Sequence, residues 1–341
     1  MNAAITGATG FIGTYLSYYL LSKGYKVIAL KRETSSIDMP IKVFKHLNDL
    51  EGKSISFNDI EWVNGDLFDA DSLDELTSNC DVCFHAAAMV SFNNKLADEM
   101  MKINVEGTTH VVNACVQNKV KKLVMVSSVA ALPNQNDKPV IDETFQTTTF
   151  FKFESAYGIS KYRAEMEAWR AHGEGTDVYV VNPTVVLGAW RFKASSVQMF
   201  DAVDKGMPFY SKGTGSFVDA RDVAQITINL SENEANANKR FILCGGSVLY
   251  KHFLQQIAQL INAKKPSIGV GKNISVFIAT IWQFLGRITG KSAPLTPAMA
   301  RAANRHFTYN TQKVQKATGL AFMPVDETIK WTASFYNEQK A

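Results

Sequence analysis

The chain has 341 residues, 46% of them hydrophobic, which is enough to bury one large core and carry a smaller lobe beside it. Its 36 basic and 32 acidic residues leave a net charge of +4, with no long basic block to suggest nucleic acid as a partner. Four cysteines, and an opening MNAAITG that reads as a strand rather than a secretion signal, are what a cytoplasmic protein is expected to show.

The first predicted strand, residues 3–6, runs into TGATGFIG and a helix over Phe11–Ser22. Gly7, Gly10 and Gly13 stand where a tight turn must let backbone approach a pyrophosphate, and the helix start offers unpaired N–H groups. Thr9, Phe11 and Ile12 complete the expected cradle. The second strand, 26–30, ends in ALKRE, where an NAD site usually carries an acid for the ribose hydroxyls. Lys31 and Arg32 stand there instead, with Ser35 and Ser36 following, and such cations pair with a 2′-phosphate. NADP(H) is therefore the favoured cofactor and NAD(H) the alternative.

The third strand, 60–64, leads to VNGDL, whose Asp66 is placed either to accept from an adenine amino group or to close a turn. The fourth, 82–86, lies in CDVCFHAAA. Its Cys80 and Cys83 lack a second cysteine pair and read as buried structural thiols, not as a metal or redox site. His85 reads as a satisfied buried histidine, and the small residues Ala86, Ala87 and Ala88 leave room for a nicotinamide ribose. A long helix over 94–117 and a fifth strand over 123–127 come next, the strand ending in Ser127 and Ser128. A helix over 158–171 and strands over 178–181 and 240–243 follow.

Seven strands alternating with helices predict an α/β Rossmann fold, a doubly wound parallel sheet. The alternation fails after Asn182-Pro183, and from about Tyr250 the pattern is mostly helical, with loops near 264–272 and 289–297. Residues 1–182 and 217–248 are accordingly assigned to a nucleotide-binding domain, and 183–216 and 249–341 to a mostly helical substrate lobe. The apolar stretch ISVFIATIWQFLGRI, 274–288, falls short of the ~20 residues a spanning helix needs and is expected to be a packed helix. Membrane-surface contact through its Phe and Trp residues is the lesser alternative.

The catalytic reading centres on YGISK, residues 157–161. Three other tyrosines, Tyr19, Tyr309 and Tyr336, also carry a lysine four residues later, so spacing alone selects nothing. Only Tyr157 follows a strand that ends in paired serines. Moving a hydride to or from a carbinol carbon needs a proton carrier, and a free phenol with pKa of about 10 is a weak base at neutral pH. Lys161, one helical turn on, would favour the phenolate, and Ser128 would bind the reacting oxygen.

The succession TGATGFIG, GDL, DVCFHAAA, NVEGT, VSSVAA, YGISK, NPTVVLG and FVDARDVA resembles the extended short-chain dehydrogenase/reductase family, of the NAD-dependent epimerase/dehydratase type. ALKR and VNPTVVLG make it most similar to the dihydroflavonol-reductase and 3β-hydroxysteroid-dehydrogenase-like branch. The resemblance implies a nicotinamide cofactor and a Ser-Tyr-Lys group at Ser128, Tyr157 and Lys161, with Asn104 near the active site. It also implies cofactor contacts at Asp66, Leu67, Ser127, Pro183 and Val185.

Aromatic and apolar residues near the reacting centre, among them Met89, Phe92, Phe151 and Trp190, favour a small and fairly hydrophobic carbonyl or alcohol substrate. A nucleotide-sugar epimerase or dehydratase with tightly bound NAD is the alternative. KGTGSFVDARDVA sets only Lys212 and Arg221 near Ser216, where many such enzymes use an arginine to hold the diphosphate. A non-catalytic NADP sensor is the third reading. The outer faces of 94–117 and 158–171 suggest a homodimer through a four-helix interface.

Overall fold

The computed structural model describes residues 1–91, 93–132, 139–144, 155–192, 196–289 and 296–340, with side chains for all of these except 94 and 284–289. Its centre is a parallel sheet of seven strands: β1 (Asn2–Thr6), β2 (Lys26–Lys31), β3 (Glu61–Asn64), β4 (Val82–His85), β5 (Lys122–Val126), β6 (Asp177–Pro183) and β7 (Lys239–Leu243). They lie in the order β3-β2-β1-β4-β5-β6-β7. Each strand falls within two residues of its predicted position, because a sheet buried on both faces writes itself as a run of apolar residues. In β1, Ala3 and Ile5 face one core layer and Ala4 the other. The chain leaves β1 toward β2 on one side and returns to β4 on the other, so the carboxyl ends of β1 and β4 flank the switch point where such sheets bind ligands.

Helix α1 (Phe11–Ser22) has the predicted ends. The helix expected over 94–117 is present as one helical run of changing pitch: a turn at Asn94–Leu96, a helical piece at Ala97–Met101, a π-helical turn at Lys102–Glu106, and then α2 (Gly107–Gln117). Such π turns re-aim side chains, and this one carries Asn104. Helix α3 (Ala156–Gly173) starts under a cap in which the Ser155 hydroxyl accepts from the Gly158 N–H at 3.1 Å. Tyr157 thus sits in its first turn.

The region expected to be mostly helical also holds short strands. Val185–Leu187, Thr214–Asp219 and Gly246–Leu249 form one three-stranded sheet, Phe209–Ser211 pairs with Ile268–Val270, and Val140–Ile141 with Thr308–Tyr309. The segments of two or three residues leave too few positions for alternation to register, whereas Thr214–Asp219 is long enough and was missed. Ile268–Val270 therefore replaces part of the loop expected at 264–272, and the loop expected at 289–297 lies mostly outside the described residues.

The apolar stretch at 274–288 corrects a second expectation. It forms a helix, Lys272–Thr289, but that helix buries small residues, Ser275 and Ala279, and turns Ile274, Phe277, Ile281 and Trp282 outward. Phe277 is 67% exposed and Ile274 61%. Among the described residues no helix is long and apolar enough to cross a membrane.

Candidate active site

The nucleotide half is built on close backbone packing. Gly7 has φ +78°, and a Cβ there would lie 2.5 Å from the Ala87 backbone nitrogen. At Gly13 a Cβ would lie 2.0 Å from the Gly7 carbonyl oxygen, so only glycine lets the turn fold back on the helix. Gly10, whose N–H donates to the Gly7 carbonyl at 2.9 Å, caps α1 with no side chain, and the first turn carries no acid. Its amides and dipole end are presented to an anion, the arrangement a pyrophosphate requires. Phe11 and Ile12 are half-buried in that first turn.

At the end of β2, Lys31 lies half-buried with Nζ 5.8 Å from the Trp62 ring centre, and Arg32 is exposed. The Ser36 hydroxyl, read as a possible phosphate donor, donates to Asp38 at 3.0 Å. Asp66 accepts from the Phe68 N–H at 2.6 Å, which is the turn role weighed for it, beside a buried Leu67. Cys80 and Cys83 are free thiols, Cys80 pushed up by burial and Cys83 by its hydrogen bond with Cys115 and then by burial, in keeping with a structural role. Ala86 and Ala87 are half-buried and Ala88 exposed at the end of β4.

The residues expected to be catalytic gather at the ends of β4, β5 and β6. Ser128 and Tyr157 share a hydrogen bond that eases the phenol downward, but enclosure of the phenol dominates and holds it above its usual value. Ser128 also accepts from the Ala130 N–H at 3.1 Å. Lys161, one turn beyond Tyr157, is buried and donates from Nζ to the Val126 carbonyl at 2.9 Å, the last residue of β5. Burial lowers its pKa from 10.5 to about 8, with Glu165 pulling it back up. Pro183 is the last residue of β6, and Val185 opens the short strand that follows it.

The competing Tyr-x-x-x-Lys pairs are engaged elsewhere. Tyr19 donates to Glu51 while Lys23 reaches Glu232. Tyr336 and Lys340 both hold Asp204, at 2.9 and 2.7 Å, and Lys313 donates to the Arg240 carbonyl at 2.8 Å.

Glu165 escaped the sequence reading. It is 1% exposed and accepts from Ser127 Oγ at 2.7 Å, Asn182 Nδ2 at 3.0 Å and Trp169 Nε1 at 3.3 Å, and it pairs with Arg240. It stands one turn after Lys161 as Lys161 does after Tyr157, and that second step of four was the signal available. Ser127 is thereby committed by its side chain to Glu165, leaving Ser128 as the serine beside Tyr157.

Two further polar groups are tied down. Asn104 donates to the Met89 carbonyl and to Ser160 Oγ, both at 2.9 Å, and accepts from the Met89 N–H at 2.7 Å. Those bonds hold the backbone after β4 against α3, which makes Asn104 a positioning residue here. His85 bridges Thr6 Oγ1 at 2.6 Å and Thr108 Oγ1 at 2.8 Å, as a satisfied buried histidine should.

Burial, with Lys161 nearby, lowers the His85 pKa from 6.5 to about 3. The unfolded chain takes up this proton as pH falls below 6.5, whereas the folded chain resists until about 3, so stability is lost across that window on acidification. Urea unfolding at a series of pH values should show a shallower loss in His85→Gln than in the unaltered protein. Identical pH slopes would remove His85 as a contributor.

Of the expected substrate contacts, Met89 is half-buried beside the site, and Phe92 and Phe151 lie outside the described residues. Trp190 is 7% exposed and stacks on Phe11 with ring centres 5.4 Å apart, which places it in the core against α1. Arg221 is also committed: its guanidinium forms a fork with Asp219 at 2.9 and 2.6 Å and lies 4.3 Å from the centre of the Trp331 ring.

A glycine turn feeding a helix, on a doubly wound parallel sheet with a Tyr-Lys pair at the strand ends, defines a nucleotide-binding Rossmann enzyme. The chain belongs to the NAD dependent epimerase/dehydratase family, whose model matches residues 3–245. It is 29% identical to a putative dihydroflavonol 4-reductase of Synechocystis sp., over 95% of this chain and 91% of that one. It is 33% identical to cinnamoyl-CoA reductase 1 of Petunia hybrida, over 72% of this chain and 73% of the relative. The crystal structure of gox2253 superposes with a TM-score of 0.80 at 25% identity, covering 99% of this chain and 98% of the other. The protein is an NAD-binding oxidoreductase of that family, with relatives that are named reductases.

Proposed function

We propose that the protein is an NADP(H)-dependent reductase that converts a carbonyl of a small, fairly hydrophobic substrate to an alcohol, using Ser128, Tyr157 and Lys161. The observation that carries the reading is the hydrogen bond between Ser128 and Tyr157 at the end of β5, with Lys161 anchored on the same strand end.

Gly7, Gly10, Gly13 and the first turn of α1 would hold the pyrophosphate, and Lys31 and Arg32 the 2′-phosphate. When bound, the nicotinamide supplies the hydride that reaches the carbonyl carbon. The chain's own groups handle the oxygen. Ser128 orients it, and Tyr157 gives it a proton as negative charge develops there. A phenol held above its ordinary value stays protonated at neutral pH, which suits a proton donor in reduction better than the base first expected of it. Lys161 keeps positive charge beside the phenolate left behind. Of the two cations near Ser216 that the nucleotide-sugar alternative could use, Arg221 is held by Asp219, which leaves it Lys212 alone and weakens that reading.

The test is consumption of NADPH and of NADH over a panel of aromatic and aliphatic aldehydes and ketones, with binding of both nucleotides titrated in parallel. NADPH should bind more tightly, and the preference should shrink in a Lys31→Ala, Arg32→Ala double variant. Equal affinity for the two nucleotides in the unaltered protein would refute the NADP assignment, and turnover of nucleotide sugars alone would refute the carbonyl assignment.

A further inference from the structure

The near-balanced charge of the chain conceals a segregation. Residues 235–325 contain no Asp or Glu and twelve Lys or Arg, so the remaining 24 cations and 32 acids leave the rest of the chain at −8. The helix Lys272–Thr289 lies within this acid-free run.

That helix is turned inside out relative to a core helix. Ile274, Phe277, Ile281 and Trp282, spaced three, four and one apart, form one stripe and are 61, 67, 43 and 42% exposed. Its buried side is small and polar, with Ser275 Oγ accepting from Asn304 Nδ2 at 3.2 Å. A second apolar pair stands at its N-terminal end: Phe209 and Ile268 are register partners, each 50% exposed, and Ile268–Val270 leads through Gly271 into the helix. Around them Lys264, Lys265, Lys272 and Arg301 are exposed, and none forms an ion pair among the described residues. Arg301 belongs to Pro297–Ala302, which packs on the helix.

We propose that this face seats the protein on a membrane surface rich in anionic lipid, with the Ile274, Phe277, Ile281 and Trp282 stripe in the headgroup and acyl boundary. Large apolar side chains projecting from one helix, with Trp among them and lysines outside any described ion pair beside them, are the features of a helix lying in the interface plane. The acid-free run 235–325 that carries them fits negative lipid headgroups, each nearby cation adding to the attraction. The same charge opposes a second copy, since cations would face cations. The inference does not rest on the chemistry at Tyr157.

Flotation of the full chain with phosphatidylcholine vesicles, with and without phosphatidylglycerol, tests it without reading turnover. The protein should float with the mixed vesicles, float less as salt rises, and remain behind with phosphatidylcholine alone. Phe277→Ser with Trp282→Ser should lower partition on the order of 10²-fold, as two exposed apolar side chains lose their transfer into lipid. Lys265→Glu with Lys272→Glu leaves the apolar stripe intact and should weaken binding to the mixed vesicles, which keeps the test open if the first pair fails to fold. No flotation with phosphatidylglycerol, or flotation indifferent to both pairs, overturns the proposal. So does light scattering that shows a lipid-free dimer dispersed by Phe277→Ser and Trp282→Ser, because the stripe then belongs to an interface between copies.

Discussion

Tyr157→Phe should slow carbonyl reduction by roughly 10²- to 10⁴-fold, the usual worth of a positioned general acid, while nucleotide affinity stays nearly unchanged. The substitution deletes one oxygen and keeps the ring, so the packing of the first turn of α3 survives. What disappears is the proton donor and its hydrogen bond with Ser128. Ser128→Ala, which removes the group expected to orient the substrate oxygen, should cost roughly 10²- to 10³-fold in turnover. Tyr309→Phe is the control, since that tyrosine is also followed four residues later by a lysine, but Lys313 is engaged with the Arg240 carbonyl. Stopped-flow oxidation of the nicotinamide reads the step directly. If Tyr157→Phe and Tyr309→Phe react at the same rate, the catalytic assignment is wrong.

Glu165→Ala carries the largest expected loss of stability, about 3–5 kcal/mol, as for other buried ion pairs broken on one side. The substitution deletes the carboxylate that pairs with Arg240 and removes the acceptor of Ser127 Oγ and Asn182 Nδ2. Urea unfolding measures it, and a change indistinguishable from zero would mean that the network relaxes freely. Glu165→Gln separates structure from electrostatics because it keeps the shape and removes the charge. Lys161 loses its proton as pH rises through about 8, and Glu165 opposes that loss. If the ammonium is the working form, kcat/KM should fall on the alkaline side near that pH, and the fall should begin at lower pH in Glu165→Gln. A merely structural glutamate would lower activity without moving the profile.

Both expectations join residues whose separate legibility in the chain was very different. Tyr157, Lys161 and the glycine turn were readable because each is a local pattern: a step of four on one helix, or glycines at a strand-to-helix turn. The glycine spacing then proves sterically obligatory, since a Cβ at Gly13 meets the Gly7 carbonyl. Glu165 was local too, but a glutamate on a helix is ordinarily solvated, and only its partners on β5, β6 and β7 make it a buried acceptor. Trp190 illustrates the reverse. Its aromatic character suggested a pocket wall, whereas its neighbour in space is Phe11.

By itself, then, the amino-acid sequence determined the seven strands and the glycine turn between β1 and α1, and it singled out Tyr157 among its look-alikes, because strand burial and turn sterics are written in short runs of residues. Tertiary structure alone decided the contacts of Asn104 with Met89 and Ser160, the burial of Glu165 against Ser127, Asn182 and Arg240, and the outward roll of the helix Lys272–Thr289. The physical reason is the same in each case. Periodicity reports that a residue has an apolar or polar face to satisfy, but which group satisfies it depends on chain segments brought alongside by folding. On the helix Lys272–Thr289 the pattern of apolar residues was plain, and it was the burial of small Ser275 and Ala279 that left Ile274, Phe277, Ile281 and Trp282 facing out.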